Sequence, residues 1–174
     1  MNKESIAETL ETKHQELFNW LENQPDEKWL EGPDGKWTVG QHTLHLVKSI
    51  RLLNNALSFP SFLIKYRYGT INRELRDYDA VAKRYNDKLN ANLEKAKEFN
   101  SSLKKPPLAQ KNDLLTTLKI QNKKLQYKTR KLKDKNLDTL LLPHPLMGKM
   151  AIREIIMWTA YHTGHHATTL KNNY

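Results

Sequence analysis

Apolar residues in this chain return every third or fourth position and almost nowhere every second one. Ile6, Leu10, Leu17 and Leu21 step by four, seven and four, which predicts an amphipathic helix over roughly residues 3–23. Pro25 follows its end, and Gly32-Pro33-Asp34-Gly35 is a strong turn signal. Thr38 and Gln41 then have the spacing of a capping box, in which a hydroxyl and an amide each satisfy an orphan backbone N–H. The second helix is expected from there to about Leu57, with Val39, Leu46, Ile50, Leu53 and Leu57 inward. Residues 58–78 hold Pro60 and Gly69 and read as an irregular crossover. Val81, Tyr85 and Leu89 mark a shorter helix from Tyr78 to about Leu93.

Beyond Pro106-Pro107, a third long helix is expected from about Lys111 to Leu132. Leu140 to Pro145 reads as a fixed, extended linker, because its two prolines bar helix and restrict their predecessors. After Gly148 a fourth long helix runs from about Ala151 to Leu170. No segment alternates well enough to predict a strand, and no repeat appears. The pattern predicts an all-α fold: a four-helix bundle with a long crossover carrying a short extra helix between helices 2 and 3. A length of 174 residues suits one domain, 1–174.

Composition removes several function classes. The chain has no Cys, so it has no disulfide framework, no thiolate metal site and no thiol nucleophile of its own. Any sulfur chemistry would need a sulfur that arrives with a substrate. The longest apolar runs, such as Ile155 to Trp158, fall far short of the roughly 20 residues of a membrane span. The charged amphipathic start has no apolar signal-peptide core. A cytoplasmic protein is expected, with no membrane partner.

The net charge of +10 is concentrated in one place. Lys104 to Lys135 carries eleven basic residues against Asp113 and Asp134. Such a strip can hold phosphates or acidic lipid. Its simpler reading is the solvated face of a helix, since Leu114, Leu115, Leu118, Leu125 and Leu132 recur beneath it at helical spacing. Tyr127 is its only aromatic, too few for base stacking, so nucleic acid is not expected as a partner.

The histidines are unevenly placed. His42 and His45 lie on the second helix, and His162, His165 and His166 on the fourth. His162 and His166 are four apart, hence about 40° apart around the axis and one turn along it. Two imidazoles so placed can converge on one metal ion. Ile155 and Thr159 continue their stripe, which turns it into the bundle. His45, between Leu44 and Leu46, can add a third imidazole from the facing helix and leave coordination positions open, as catalytic metals require. Buried histidines that only hydrogen-bond a backbone carbonyl would show the same pattern. Thr163 stands where a zincin motif has Glu, which argues against a metalloprotease of that type.

At this point two segments resemble a known family. Trp37-Thr38-Val39-Gly40-Gln41-His42-Thr43-Leu44-His45-Leu46 is similar to the W-[ST]-x-x-[EQ]-x-x-x-H-L signature of the DinB-like (DNA-damage-inducible) superfamily. His144-Pro145-Leu146-Met147-Gly148-Lys149, then Arg153-Glu154, then Thr159-Ala160-Tyr161-His162-Thr163-Gly164-His165-His166, resembles its closing segment. The resemblance implies a four-helix bundle holding a divalent metal, commonly nickel or zinc, through His45, His162 and His166. Relatives of that kind include bacillithiol S-transferases and a mycothiol-dependent maleylpyruvate isomerase; DNA binding is not implied. The chain departs from the pattern at Ala151, where members often have Ser or Thr, and at Thr169, where many have Gln.

Around the three proposed ligands, His42 and His165 each lie about 60° from a ligand. Either could support a ligand, though a flank with part of the ring exposed is the expected place for both. His144, between two prolines, could line a pocket mouth, but a structural role in the linker is expected; Thr159 is a further pocket candidate. Glu154 lies about 80° from His162 and is given no role, and neither is His14. The expected activity is a transferase using a low-molecular-weight thiol and a divalent metal, acting on a small-molecule substrate. The alternatives are a metal-dependent hydrolase and a non-enzymatic metal- or ligand-binding protein of the stress response. A homodimer is compatible with a bundle of this size.

Overall fold

A computed structural model describes residues 1–93 and 103–174. Four long helices make the bundle. Helix α1 spans Lys3–Glu22, with the Asn2 side chain accepting from the Ser5 N–H at its start. Helix α2 spans Val39–Ala56 and opens on the expected capping box: Thr38 Oγ1 accepts from Gln41 N at 3.2 Å and Gln41 Oε1 from Thr38 N at 3.0 Å. Within the crossover come α3, Ser61–Tyr68, and α4, Tyr78–Ala91, whose N-terminus is capped by Asp77. The third long helix, α5, spans Lys111–Lys131 and is followed by a short α6, Asp134–Thr139. The fourth, α7, runs Ile152–Asn173.

Two expectations need correction. Residues 58–78 are not wholly irregular, since α3 forms there. It is only two turns long, with Pro60 before it and Gly69 after it at φ 85°, too short for a periodic pattern to declare itself. The linker is also more than extended. Leu141–His144 (β1) pairs antiparallel with Gly148–Ala151 (β2), with Leu141 opposite Ala151 and His144 opposite Gly148. Gly148 at φ 71° closes the turn in a conformation that favours glycine. Four-residue strands, one of them containing Pro143, offer no alternation to read. The described residues thus form a mostly helical bundle with one small hairpin.

Helix α1 packs along α7 on one side and α5 on the other, and α2 packs along α5. The α2–α7 edge is the thinnest contact of the bundle, and α4 covers the outer side of α7. Every residue expected inward on α1 and α2 is buried. Gly40 lets α2 start tightly against its neighbours: a Cβ there would lie 2.8 Å from Pro106 Cγ and 2.9 Å from Trp29 Cε2. Apart from the histidines between them, α2 and α7 touch little, and that gap is where the site sits.

Candidate metal centre

His45 reaches the α2–α7 gap from α2, and His162 and His166 reach it from successive turns of α7. His45 Nε2 lies 3.1 Å from His162 Nε2, and His166 Nε2 lies 3.0 Å from the same atom. The three residues each offer a nitrogen within 4.8 Å of the other two. Hydrogen bonding alone satisfies this trio poorly, because the one His162 Nε2 must serve two partners at once. A cation among them satisfies all three lone pairs. A tetrahedral ion with Zn–N bonds of about 2.0–2.1 Å would hold its nitrogens about 3.3 Å apart, close to what is seen.

Burial and neighbouring imidazoles keep these rings neutral, the state a metal ligand needs. Burial, helped by His45, holds His162 well below its ordinary pKa; burial and then His162 do the same to His166. Burial lowers His45 to about 4 and His42 to about 3. His162 Nδ1 is buried with no hydrogen-bond partner among the described residues.

His42 is not the part-exposed flank residue expected from the helical wheel: it is buried. Its Nδ1 is 2.8 Å from His166 Nδ1, and its Nε2 is 3.2 Å from the Tyr174 hydroxyl. The Tyr174 hydroxyl in turn donates to the Trp37 carbonyl. The chain has one consistent proton assignment when His166 Nε2 faces the other imidazoles with its lone pair. His166 Nδ1–H then donates to His42 Nδ1, and His42 Nε2–H donates to the tyrosine oxygen. Such an outer hydrogen bond is how proteins fix the orientation of a ligating imidazole.

Two tryptophans complete the walls; sequence reasoning gives neither a place at the site, although Trp37 opens the segment that resembles the family signature. The Trp158 ring stacks on His162 at a centroid distance of 4.5 Å and an interplanar angle of 19°. Trp37 lies nearly parallel to His166 at 6.1 Å and tilted against His45 at 4.9 Å. Trp158 stands one turn before His162, so helical spacing could have found it; Trp37 is placed by the loop before α2, which spacing alone does not locate. Tyr85 of α4 meets the edge of His162 at 5.9 Å. Trp37 and His45 are half-buried, so the cluster is reached from their side.

The other candidates fall outside the trio. His165 is half-buried and faces the Tyr85 and His166 rings. His144 takes the expected structural role, its Nδ1 accepting from Leu146 N and Met147 N across the hairpin turn. Thr159 spends its hydroxyl on the Ile155 carbonyl within α7. Glu154, fully buried, is gripped by both Arg73 guanidinium nitrogens at 2.6 Å and by the Arg76 N–H at 2.8 Å. Burial pushes its pKa up, but the Arg73 and Arg76 bonds prevail and hold it below the usual carboxylate value. Two surface depressions, one along α4 and one beside Met1, are lined by none of the clustered histidines. Among the described residues no helix is long and apolar enough to cross a membrane.

The sequence model of the DinB superfamily matches residues 9–170, nearly the whole chain. No curated protein and no solved structure matches the chain significantly. The match and the three converging imidazoles fit a metal-binding protein, with a cluster compatible with a divalent ion. By its sequence, the chain belongs to the DinB superfamily.

Proposed function

We propose that His45, His162 and His166 hold a divalent metal ion, nickel or zinc, and that the protein is a transferase using a low-molecular-weight thiol. The observation that carries the reading is the meeting of three neutral Nε2 atoms in the α2–α7 gap. A bound divalent ion supplies Lewis acidity, which lowers the pKa of a thiol or a water at its open positions.

The chain's own residues set the rest. Trp37 and Trp158 line the centre with apolar rings, Trp37 on its open side and Trp158 on its buried side. His42 holds the His166 proton on Nδ1 and so leaves Nε2 free to ligate. The thiol is the substrate's, because the chain has no Cys. Either nucleophile must give up a proton, and neither Tyr85 nor Glu154 takes it. Burial pushes the Tyr85 phenol up to about 12, so it keeps its proton, and Glu154 is bound in its arginine pair. A thiol is a far stronger acid than water, with an ordinary pKa of about 8.5 against about 15.7, so beside the same ion it reaches its nucleophilic form more readily, which favours thiol transfer over hydrolysis.

The test offers metal-loaded protein a small thiol with an aryl halide acceptor and, separately, an activated ester with no thiol. Thiol consumption that requires both metal and His45 supports the transferase. Ester hydrolysis without thiol acceleration would replace it with the hydrolase, and neither activity would leave a metal- or ligand-binding protein of the stress response.

A further inference from the structure

Helix α3 is apolar on two faces. Ile64 is buried in the core and Tyr68 packs against that core, which accounts for the inner face. Phe62, Leu63 and Tyr66 stand on the outer face, with Phe59 just ahead of the helix. Phe62 is 70% exposed, Tyr66 91% and Phe59 61%. A surface helix ordinarily carries one apolar stripe, facing the core. The second stripe covers nothing among the described residues.

The basic segment adjoins it. Spacing places Ile120, Lys124, Tyr127, Lys128 and Lys131 on one stripe of α5, with Ile120 and Tyr127 exposed and the Lys131 ammonium over the Tyr127 ring. Lys128 Nζ donates to the Asn54 carbonyl and to Ser58 Oγ, which joins this stripe to the turn that leads into Phe59. At the far end of α3, Lys149 Nζ donates to the Tyr68 carbonyl.

The opposite side of α5 is different: Lys111, Lys119 and Arg130 pair there with Asp26, Glu22 and Glu4. The ion pairs of the described residues include none of Lys124, Lys128, Lys131, Lys65 or Arg67. No Asp or Glu occurs anywhere between Gly35 and Arg73.

We infer that this face, α3 with the Lys124–Lys131 stripe of α5, docks on an anionic lipid surface. Phe62, Leu63 and Tyr66 enter the interface, and the lysines meet the headgroup phosphates. Protruding aromatic and aliphatic side chains set among cations are the arrangement of an interfacial anchor. Phe59, Phe62, Tyr66 and Tyr127 can stack on bases, but Leu63 and Ile120 among them cannot, whereas a bilayer interface takes aromatic and aliphatic side chains alike. A second copy of the chain would bring the same cations against these, a like-charge contact that opposes pairing. The expectation that no membrane takes part rested on the lack of a span, and a face that lies on a bilayer needs none. The inference is independent of the metal centre.

The test is cosedimentation with vesicles of equal parts phosphatidylglycerol and phosphatidylcholine, beside pure phosphatidylcholine vesicles. The parent is expected to sediment with the first and stay in solution with the second. A lysine near an anionic surface is worth about fivefold in partition, so Lys124→Gln with Lys131→Gln is expected to lower it about 25-fold. Phe62→Ser with Tyr66→Ser is expected to lower it at least tenfold at unchanged charge. All four side chains lie on the surface, and unchanged far-UV circular dichroism verifies the fold of each variant.

Failure of the parent to bind anionic vesicles would overturn the inference, as would binding indifferent to Phe62→Ser with Tyr66→Ser. Two other outcomes would reassign the face. A parent dimer that these substitutions split would make it a contact between copies. Binding of a single-stranded oligonucleotide through the same residues, with vesicles ignored, would make it a nucleic-acid surface.

Discussion

His14 is expected to make the fold acid-sensitive in a way one substitution removes. The residue is buried between α1 and α7, with its Nδ1 2.8 Å from the Leu10 carbonyl. Burial lowers its pKa from 6.5 to about 4, against smaller opposing effects of the Leu10 carbonyl and Glu11. The unfolded chain, with an ordinary imidazole, takes up a proton below about 6.5, while the folded chain resists until about 4. Stability is therefore full above pH 6.5 and is lost as pH falls towards 4. The whole loss from this one group is about 3 kcal/mol, of which about 2 kcal/mol has gone by pH 5. His14→Leu removes the titration and leaves no orphan, because the Leu10 carbonyl still accepts the helical N–H of residue 14. Urea unfolding of metal-free parent and His14→Leu at pH 7.5 and pH 5 separates this effect from the other buried histidines, which both proteins share. The parent should lose about 2 kcal/mol more than the variant between the two pH values. Parallel losses would refute the assignment of a neutral, buried His14.

Two further substitutions test the surroundings of the centre. His42→Phe removes the acceptor for His166 Nδ1–H and is expected to weaken nickel or zinc binding about 10- to 100-fold, read by competition with a chromophoric chelator. Nitrogen NMR of the metal-free variant should also show His166 losing its preference for the Nδ1–H tautomer. Glu154→Gln keeps one acceptor for the Arg76 N–H and gives up the two-oxygen grip on Arg73, which is itself part-exposed and can rehydrate. A loss of about 1–3 kcal/mol in urea unfolding is expected, with metal binding unchanged.

What was legible in the sequence follows from range. Helices α1, α2, α4, α5 and α7 repeat their apolar spacing over three or more turns, and each ends within a few residues of its expected bounds. Helix α3, α6 and the hairpin are too short to repeat anything, so only contacts made elsewhere define them, such as the Asn136 amide on Ser61 and the Lys149 ammonium on the Tyr68 carbonyl. The same holds at the centre. The four-residue step from His162 to His166 and the apolar neighbours of His45 point all three inward without knowledge of the fold. The burial of His42 was not legible, because Tyr174, 132 residues away, and Trp37, held in the loop before α2 rather than on the helix, are what cover it. The wheel separated Glu154 from the histidines correctly, but nothing local announced Arg73 and Arg76 as its partners. The basic segment read as a single solvated face, and only the placement of α1 and the turn after it divides it into a paired side and a side that reaches the end of α2 through Lys128.

The proposed metal site is three imidazoles meeting across the α2–α7 gap. Its most direct test is the metal content of protein purified without tag affinity or chelators, beside a His45→Ala, His162→Ala, His166→Ala triple variant. About one equivalent of nickel or zinc is expected in the parent and none in the variant, with the bundle still folded. A parent that carries no metal and takes up none when nickel or zinc is offered would contradict it.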